Sequence, residues 1–251
     1  MLSTTIKHVS STLRAIDCVG FESDELKSKA ACLAEKLQLR LDKEAALCLY
    51  FTMERLTLKI PSFNLLYADF SIQTWDRRKA EGKNQALVRA CKPRKGLTIL
   101  DATAGWGRDA AILASLGANV LMLERHPVMA ALLEDALLRQ NEDDMQAMSL
   151  SLVHQDALSY LQLLEKVDYP DIIYIDPMHP QRTKSALVKK DLYVLQELIG
   201  PDEDALALLH LALTKAKQKV VVKWPQKIPA LLKTHSCIPG KTIRYDIYTA
   251  L

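Results

Sequence analysis

The sequence predicts an α/β fold built on a mostly parallel sheet covered on both faces, and three observations predict it. From about residue 93 onward, short apolar β-rich runs alternate with segments of helical spacing. A glycine turn follows the first of these runs, and an acid stands at the end of several of them. Strands are expected near 98–101, 120–124, 150–154, 171–176 and 219–223, with a last pair near 234–238 and 243–249.

Ahead of that region the pattern differs. Glu22 to Leu39 carries Leu26, Ala30, Leu33 and Leu37 at helical spacing with charged residues between. Ala46–Thr52, Arg55–Ile60 and Asn64–Phe70 alternate like short strands, with Met53-Glu54 and Pro61-Ser62 as turns. A helix is expected from about Thr74 through Cys91, weakest at Gly82, and Pro93–Gly96 is the natural boundary. The division is therefore a small N-terminal α+β cap with a linking helix over 1–92, and a core over 93–251.

The core opens with LTILDATAGWGRDAAILASLGANVLMLER, Leu97 to Arg125. Thr98–Leu100 is a strand ending at Asp101, and Gly105 and Gly107 allow a sharp turn and close approach of a ligand. The helix from about Arg108 to Leu116 presents its free N–H groups to that site, Gly117 stops it, and Val120–Leu123 is the next strand, ending at Glu124. An acid there accepts hydrogen bonds from a ribose diol. Gly105-x-Gly107-x-x-Ala110 satisfies the loose dinucleotide fingerprint, with Glu124 near the expected distance. Asp101 argues otherwise, since a carboxylate opposes phosphates and suits a cationic ligand such as S-adenosylmethionine, with its ammonium and sulfonium.

The second informative stretch is DIIYIDPMHP, Asp171 to Pro180. Ile172–Ile175 reads as a strand buried on both faces, ended by Asp176-Pro177. Ligands of open parallel sheets bind outside the carboxyl ends of the strands, where strand order reverses, so Asp176 and Asp101 are expected to converge on one crevice.

Composition sets bounds. The chain has 251 residues, 49% hydrophobic and 25% charged, enough for a full core, and its net charge of +3 does not announce a nucleic-acid binder. Cysteines 18, 32, 48, 91 and 237 form no C-x-x-C pair, so neither a metal site nor a disulfide framework is expected. No stretch has the length and apolarity of a membrane span and no signal peptide is evident, so the expected location is the cytoplasm.

DATAGWGRDA, MLERHPVMAALLEDAL, DPMHP, KSALVKKDL, Ile199-Gly200-Pro201, VVVKWP and RYDIY together resemble the RsmJ-type 16S ribosomal RNA guanine-N2 methyltransferases. The resemblance covers roughly Tyr67 to the C-terminus. It implies a class I S-adenosylmethionine-dependent methyltransferase fold, Rossmann-like with a seven-stranded sheet whose last strand pair is antiparallel. It also implies a cytoplasmic bacterial enzyme that methylates the exocyclic amine of one guanine near the 3′ end of 16S rRNA in the small ribosomal subunit. No membrane or metal partner is expected, and the oligomeric state is left open with a monomer favoured.

For cofactor contacts the resemblance, with the turn itself, points to Asp101, Gly105, Gly107, Arg108, Asp109, Glu124, Arg125, Asp156, Ala157 and Asp176. Asp156-Ala157 departs from the small hydroxyl residues usual in the family. DPMHP resembles the N/D-P-P-Y/F tetrapeptide of amine methyltransferases, which makes Asp176, the carbonyl of Pro177, and His179 the expected catalytic set. His179 stands where an aromatic is usual; it either stacks on the base or is a surface loop residue. Arg182, Lys184, Lys189 and Lys190 follow, and either bind RNA phosphates or form a solvated helix face. Trp75, Arg77, Arg78 and Lys79 form a second basic and aromatic cluster, and Lys223 ends a strand at the same crevice, to contact RNA or to close the pocket. Two rivals stand beside this reading: an NAD-dependent oxidoreductase and a noncatalytic RNA-binding or assembly factor.

Overall fold

The structure, a computed structural model, describes residues 16–61, 63–75, 85–178 and 204–251. Its first elements are β1 (Cys18–Phe21), α1 (Lys27–Leu37), β2 (Arg40–Leu41), β3 (Cys48–Phe51), β4 (Leu56–Lys59), α2 (Ala86–Cys91), β5 (Thr98–Asp101), α3 (Arg108–Ser115), β6 (Asn119–Glu124) and α4 (Pro127–Leu138). After them come α5 (Glu142–Ala147), β7 (Leu150–His154), α6 (Ala157–Leu163), β8 (Ile172–Ile175), α7 (Ala205–Lys215), β9 (Lys219–Pro225), β10 (Ser236–Pro239) and β11 (Ile243–Thr249).

Two compact units are present. The first gathers the described residues up to Ala68 with His126–Arg139. Its four-stranded sheet has the order β2-β1-β3-β4, with β1 parallel to β2 and β3, and β3 antiparallel to β4. Val19, Phe21, Leu49 and Phe51 alternate along β1 and β3 and are buried. Helix α4 starts with Pro127 in its first turn, where the missing N–H costs nothing. Its buried Asp135 accepts from the backbone N–H of Leu56 at 3.1 Å and from Arg139 Nε at 2.8 Å, and Arg139 donates onward to the Ala68 carbonyl at 2.6 Å.

The second unit comprises Asp69–Arg125, Gln140–Pro177 and the described residues from 204 on. Its seven strands run in the order β10-β11-β9-β8-β5-β6-β7. All neighbouring pairs are parallel except β11, which is antiparallel to both β9 and β10. This is the sheet the sequence predicts, antiparallel edge included. Chain order reverses between β5 and β8: from β5 it runs outward to β6 and β7 on one side, and from β8 to β9 on the other.

The strands separate two faces. Ile173 and Ile175 of β8 and Val220, Val222 and Trp224 of β9 pack into a core with Leu161 of α6 and Leu208, Leu209 and Ala212 of α7. By alternation Tyr174, Val221 and Lys223 point to the opposite face.

Three expected elements differ. The helix expected over Glu22–Leu39 is a one-turn 3-10 segment, Asp24–Leu26, followed by α1, which ends where Gln38 turns left-handed at φ 56°. Asn64–Phe70 contributes only an isolated bridge, Leu66 to Leu58. Side chains take carbonyls there that a ladder would use: Arg139 binds that of Ala68, and the Gln140 amide that of Phe70 at 3.3 Å. The helix expected from Thr74 through Cys91 is not continuous, because Gln85 is extended at φ −68°, ψ 141° and caps a separate α2.

Candidate functional site

Each strand tip at the order reversal carries an acid, and the glycine turn fills the space after β5. Asp101 ends β5, its carboxylate accepting the Thr103 N–H at 3.1 Å. Gly105 and Gly107 take φ values of 55° and 69°, in the left-handed region that favours glycine. Gly107 is the N-cap of α3, so the helix's first N–H groups open from the turn. Glu124, at the tip of β6, is only 4% exposed and its Oε2 accepts the Gly105 N–H at 2.9 Å. The carboxylate thus anchors the turn from the neighbouring strand.

Asp176 follows β8, the strand beside β5. Its backbone N–H donates to Thr103 Oγ1 at 2.6 Å, which ties the tip of β8 to the turn after β5. The expected convergence of Asp101 and Asp176 is therefore present in the geometry. Lys223 lies one strand further on. Its ammonium donates to Asp176 Oδ2 at 2.6 Å and to Asp109 Oδ2 at 2.9 Å, and the Tyr174 hydroxyl donates to the same Asp109 oxygen at 2.6 Å.

These groups set one another's protonation. Burial raises Asp101, with help from the nearby Asp109 and Asp176 charges, and pushes it up to about 8. Burial also works against ionised Asp109, but the Lys223 charge, the Tyr174 hydroxyl and Arg108 together outweigh it, so Asp109 lies below the usual carboxylate range. Lys223 is held well above the usual lysine range: burial opposes its charge, and Asp176 and Asp109 more than compensate. Tyr174 and Tyr245 are both pushed up, first by burial and then chiefly by these carboxylates. At neutral pH the arrangement holds Asp101 protonated and Lys223 charged. A cation arriving beside Asp101 favours loss of its proton.

The remaining expected residues are placed as follows. Arg108 begins α3, and Asp109 faces Tyr174 and Lys223. Arg125 is exposed and pairs with Asp204 at 3.2 Å, while its carbonyl meets His154 Nε2 at 3.3 Å. Asp156 is the N-cap of α6, its Oδ1 accepting from the Ser159 N–H at 2.9 Å, and Ala157 is buried as the first residue of that helix. Pro177 is buried. His179, Arg182, Lys184, Lys189 and Lys190 lie outside the described residues, as do Arg77, Arg78, Lys79 and Ile199-Gly200-Pro201. Trp75 is 4% exposed and its indole donates to the Asp69 carbonyl at 2.7 Å, which is a packing role.

Sequence reasoning did not link Lys223, Asp109 and Tyr174. The available signal was Lys223 itself, a cation inside the apolar run VVVKWP, since a charge on a central strand requires a paired partner. Among the described residues, no group of three or more His, Cys, Asp or Glu is arranged to hold a metal ion, and no helix is long and apolar enough to cross a membrane.

The site suits S-adenosylmethionine. Asp101, 1% exposed, is a carboxylate that a cation would stabilise, the turn carries no side chains at its two left-handed positions, and Glu124 offers an acceptor at the second strand tip. Comparison with known proteins agrees. A family model described as "Putative SAM-dependent methyltransferase" matches residues 32–250. Ribosomal RNA small subunit methyltransferase J of Legionella pneumophila (strain Philadelphia 1) is 61% identical over 238 residues, 95% of this chain and 98% of that protein. The protein of the same name from Erwinia tasmaniensis is 40% identical over 247 residues, 93% of this chain and 98% of its own length. The crystal structure of a SAM-dependent methyltransferase from Neisseria gonorrhoeae matches with a TM-score of 0.69 at 27% identity, covering 92% of this chain and 95% of that one. The similarity thus includes most of the N-terminal stretch that the sequence motifs did not reach.

Proposed function

The chain belongs to the ribosomal RNA small subunit methyltransferase J family of S-adenosylmethionine-dependent methyltransferases, and from that premise we propose that it methylates the N2 amine of a guanine near the 3′ end of 16S rRNA. The observation that carries the substrate is the close relationship to the Legionella pneumophila protein of that name. In support of Asp176 and Pro177 as the reacting pair, both follow β8 at the reversal of strand order, where the Asp176 N–H bonds Thr103 of the turn after β5.

The guanine N2 amine is a poor nucleophile because its lone pair is delocalised into the ring. The cofactor supplies an activated methyl group on a sulfonium. The protein's task is then positioning. Asp176 and the Pro177 carbonyl accept the two amine hydrogens, turn the lone pair toward the methyl carbon and stabilise positive charge developing on nitrogen. No strong base is needed, since the methylated ammonium is acidic enough to lose its proton to Asp176 or to water. Asp101 faces the cationic part of the cofactor, Glu124 the ribose and Asp156 the adenine, with Gly105, Gly107, Arg108, Asp109, Arg125 and Ala157 around them.

The target base has to leave its stack, at a cost of about a few kcal/mol, so contacts beyond the base are required. Arg182, Lys184, Lys189 and Lys190 supply cations for the phosphates next to the DPMHP segment, and His179 stacks on the base. The catalytic cycle runs in the cytoplasm, on a monomer.

The test is direct. Purified protein is incubated with methyl-labelled S-adenosylmethionine and small ribosomal subunits from cells lacking the enzyme, and the digested RNA is resolved into nucleosides. Label in N2-methylguanosine is expected. Label in another nucleoside, or none from protein that binds the cofactor, overturns the substrate assignment.

A further inference from the structure

We infer that Lys223 is a positioning residue for methyl transfer: clamped by Asp109, it holds the Asp176 carboxylate in one orientation toward the amine. The inference rests on the proposed reaction and deepens it. Lys223 sits in β9, directly across the antiparallel pair from Tyr245 in β11, and Tyr174 of β8 projects from the same face. Its ammonium makes two short ion pairs, 2.6 Å to Asp176 and 2.9 Å to Asp109, with only 23% of the side chain exposed. Asp109 is itself held by the Tyr174 hydroxyl at 2.6 Å.

This arrangement fixes Asp176 at two points. Thr103 takes its backbone N–H, which tethers the main chain, and Lys223 takes one carboxylate oxygen, which restrains rotation of the side chain. A loosely held aspartate would sample several rotamers, of which few aim an oxygen at the amine. Charge is the second contribution. Asp101, Asp109 and Asp176 converge from β5, α3 and the tip of β8, with Tyr174 and Tyr245 packed beside them. Arg108 and Lys223 are the cations that act on Asp109, and Lys223 alone among the described residues bonds both Asp109 and Asp176. Without Lys223 no described cation is shared between Asp109 and Asp176, and the two carboxylates repel one another, which turns the Asp176 side chain away from its present direction.

A phosphate contact would need the same ammonium to leave both carboxylates. The two roles therefore differ in what they change. Lys223→Met is compared with the unmodified enzyme on small subunits lacking the mark, measuring kcat, KM for the subunit, and cofactor affinity by calorimetry. The expected result is a fall in kcat of about 100-fold, with KM and cofactor affinity changed less than threefold. Lys223→Arg, which keeps the charge, is expected to recover about tenfold of the loss, and it serves where the Met variant does not fold. An unchanged kcat with raised KM and a shallower salt dependence of binding overturns the inference in favour of a phosphate contact. Arg at this site with no better kcat than Met also overturns it. The unmodified enzyme's own product keeps the two levels apart: absence of N2-methylguanosine overturns the reaction, and the inference with it, whereas product from the unmodified enzyme and equal turnover by Lys223→Met overturn the inference alone.

Discussion

On the β5–α3–β6 side of the crevice the main chain does the positioning, whereas on the β8–β9 side charged side chains do it. Gly105 and Gly107 adopt left-handed φ values and one backbone N–H is taken by Glu124, all within 24 residues of contiguous sequence from Asp101 to Glu124. Asp176, Lys223 and Asp109 come from three separate elements, and their pairing spans 47 and 114 residues of sequence. The first side is held by the Gly105–Glu124 hydrogen bond in a conformation that glycine adopts without steric cost. The second is rigid only while opposite charges are present. The backbone geometry of the first should therefore tolerate changes of pH and salt, although its hold on a cation varies with the protonation of Asp101, whereas the second depends on charge for its geometry itself.

The largest expected effect strikes the second side. Asp176→Ala should lower kcat by about a thousandfold while the thermal midpoint stays near that of the unmodified protein, measured by methyl transfer and by melting. Near-normal turnover in a folded variant would break the contrast, leaving Asp176 without a chemical role. On the first side, Glu124→Ala should weaken cofactor binding by about 30-fold with little loss of kcat at saturation, because a charged acceptor is removed from the turn and from the proposed ribose contact. A matching fall in kcat at saturation would mean that the two sides are not separable.

A smaller effect sharpens the contrast through pH. The folded Asp101 carboxyl titrates near 8, above its unfolded value of 3.8. The stability its protonated form contributes is thus complete below about pH 4 and is lost as pH rises through about 8. A cation at this carboxyl favours the ionised form, so cofactor affinity should rise several-fold from pH 6 to 8, with release of a proton. Asp101→Asn should flatten both dependences, read by calorimetry in two buffers of different ionisation enthalpy and by melting across the same range. The smallest effect on stability is expected for Asp156→Ala, which removes the N-cap of α6 and should cost about 1 kcal/mol in a denaturant titration, apart from any loss of the proposed adenine contact.

What was legible in the sequence follows the same division. The strands at 98–101, 150–154 and 243–249 stand where periodicity put them, and the glycine turn with its flanking acids was readable because its parts are neighbours in the chain. The order reversal between β5 and β8 was an expectation of the fold class, and it brought Asp101 and Asp176 to one place. Lys223 was read as the end of a strand at the crevice, contacting RNA or closing the pocket, and its carboxylate partners were not legible, since they depend on which strands lie side by side and on the parity of each residue. Asn64–Phe70 misled for a related reason. Its alternation is strand-like, but side chains from Arg139 and Gln140 satisfy carbonyls that a neighbouring strand would have needed. The short α5 also carried a readable signal, the capping box of Asn141 and Asp144.

The hydrogen bond from Gly105 to Glu124 has a thermodynamic consequence. Its donor and acceptor both belong to the protein, so folding itself can take up the turn's conformational freedom before the cofactor docks. Binding at that end of the crevice then carries a small entropy penalty, and little of the heat of association comes from rearranging the loop. Whatever ordering the reaction still requires falls on the larger partner, whose base must be drawn out of its stack.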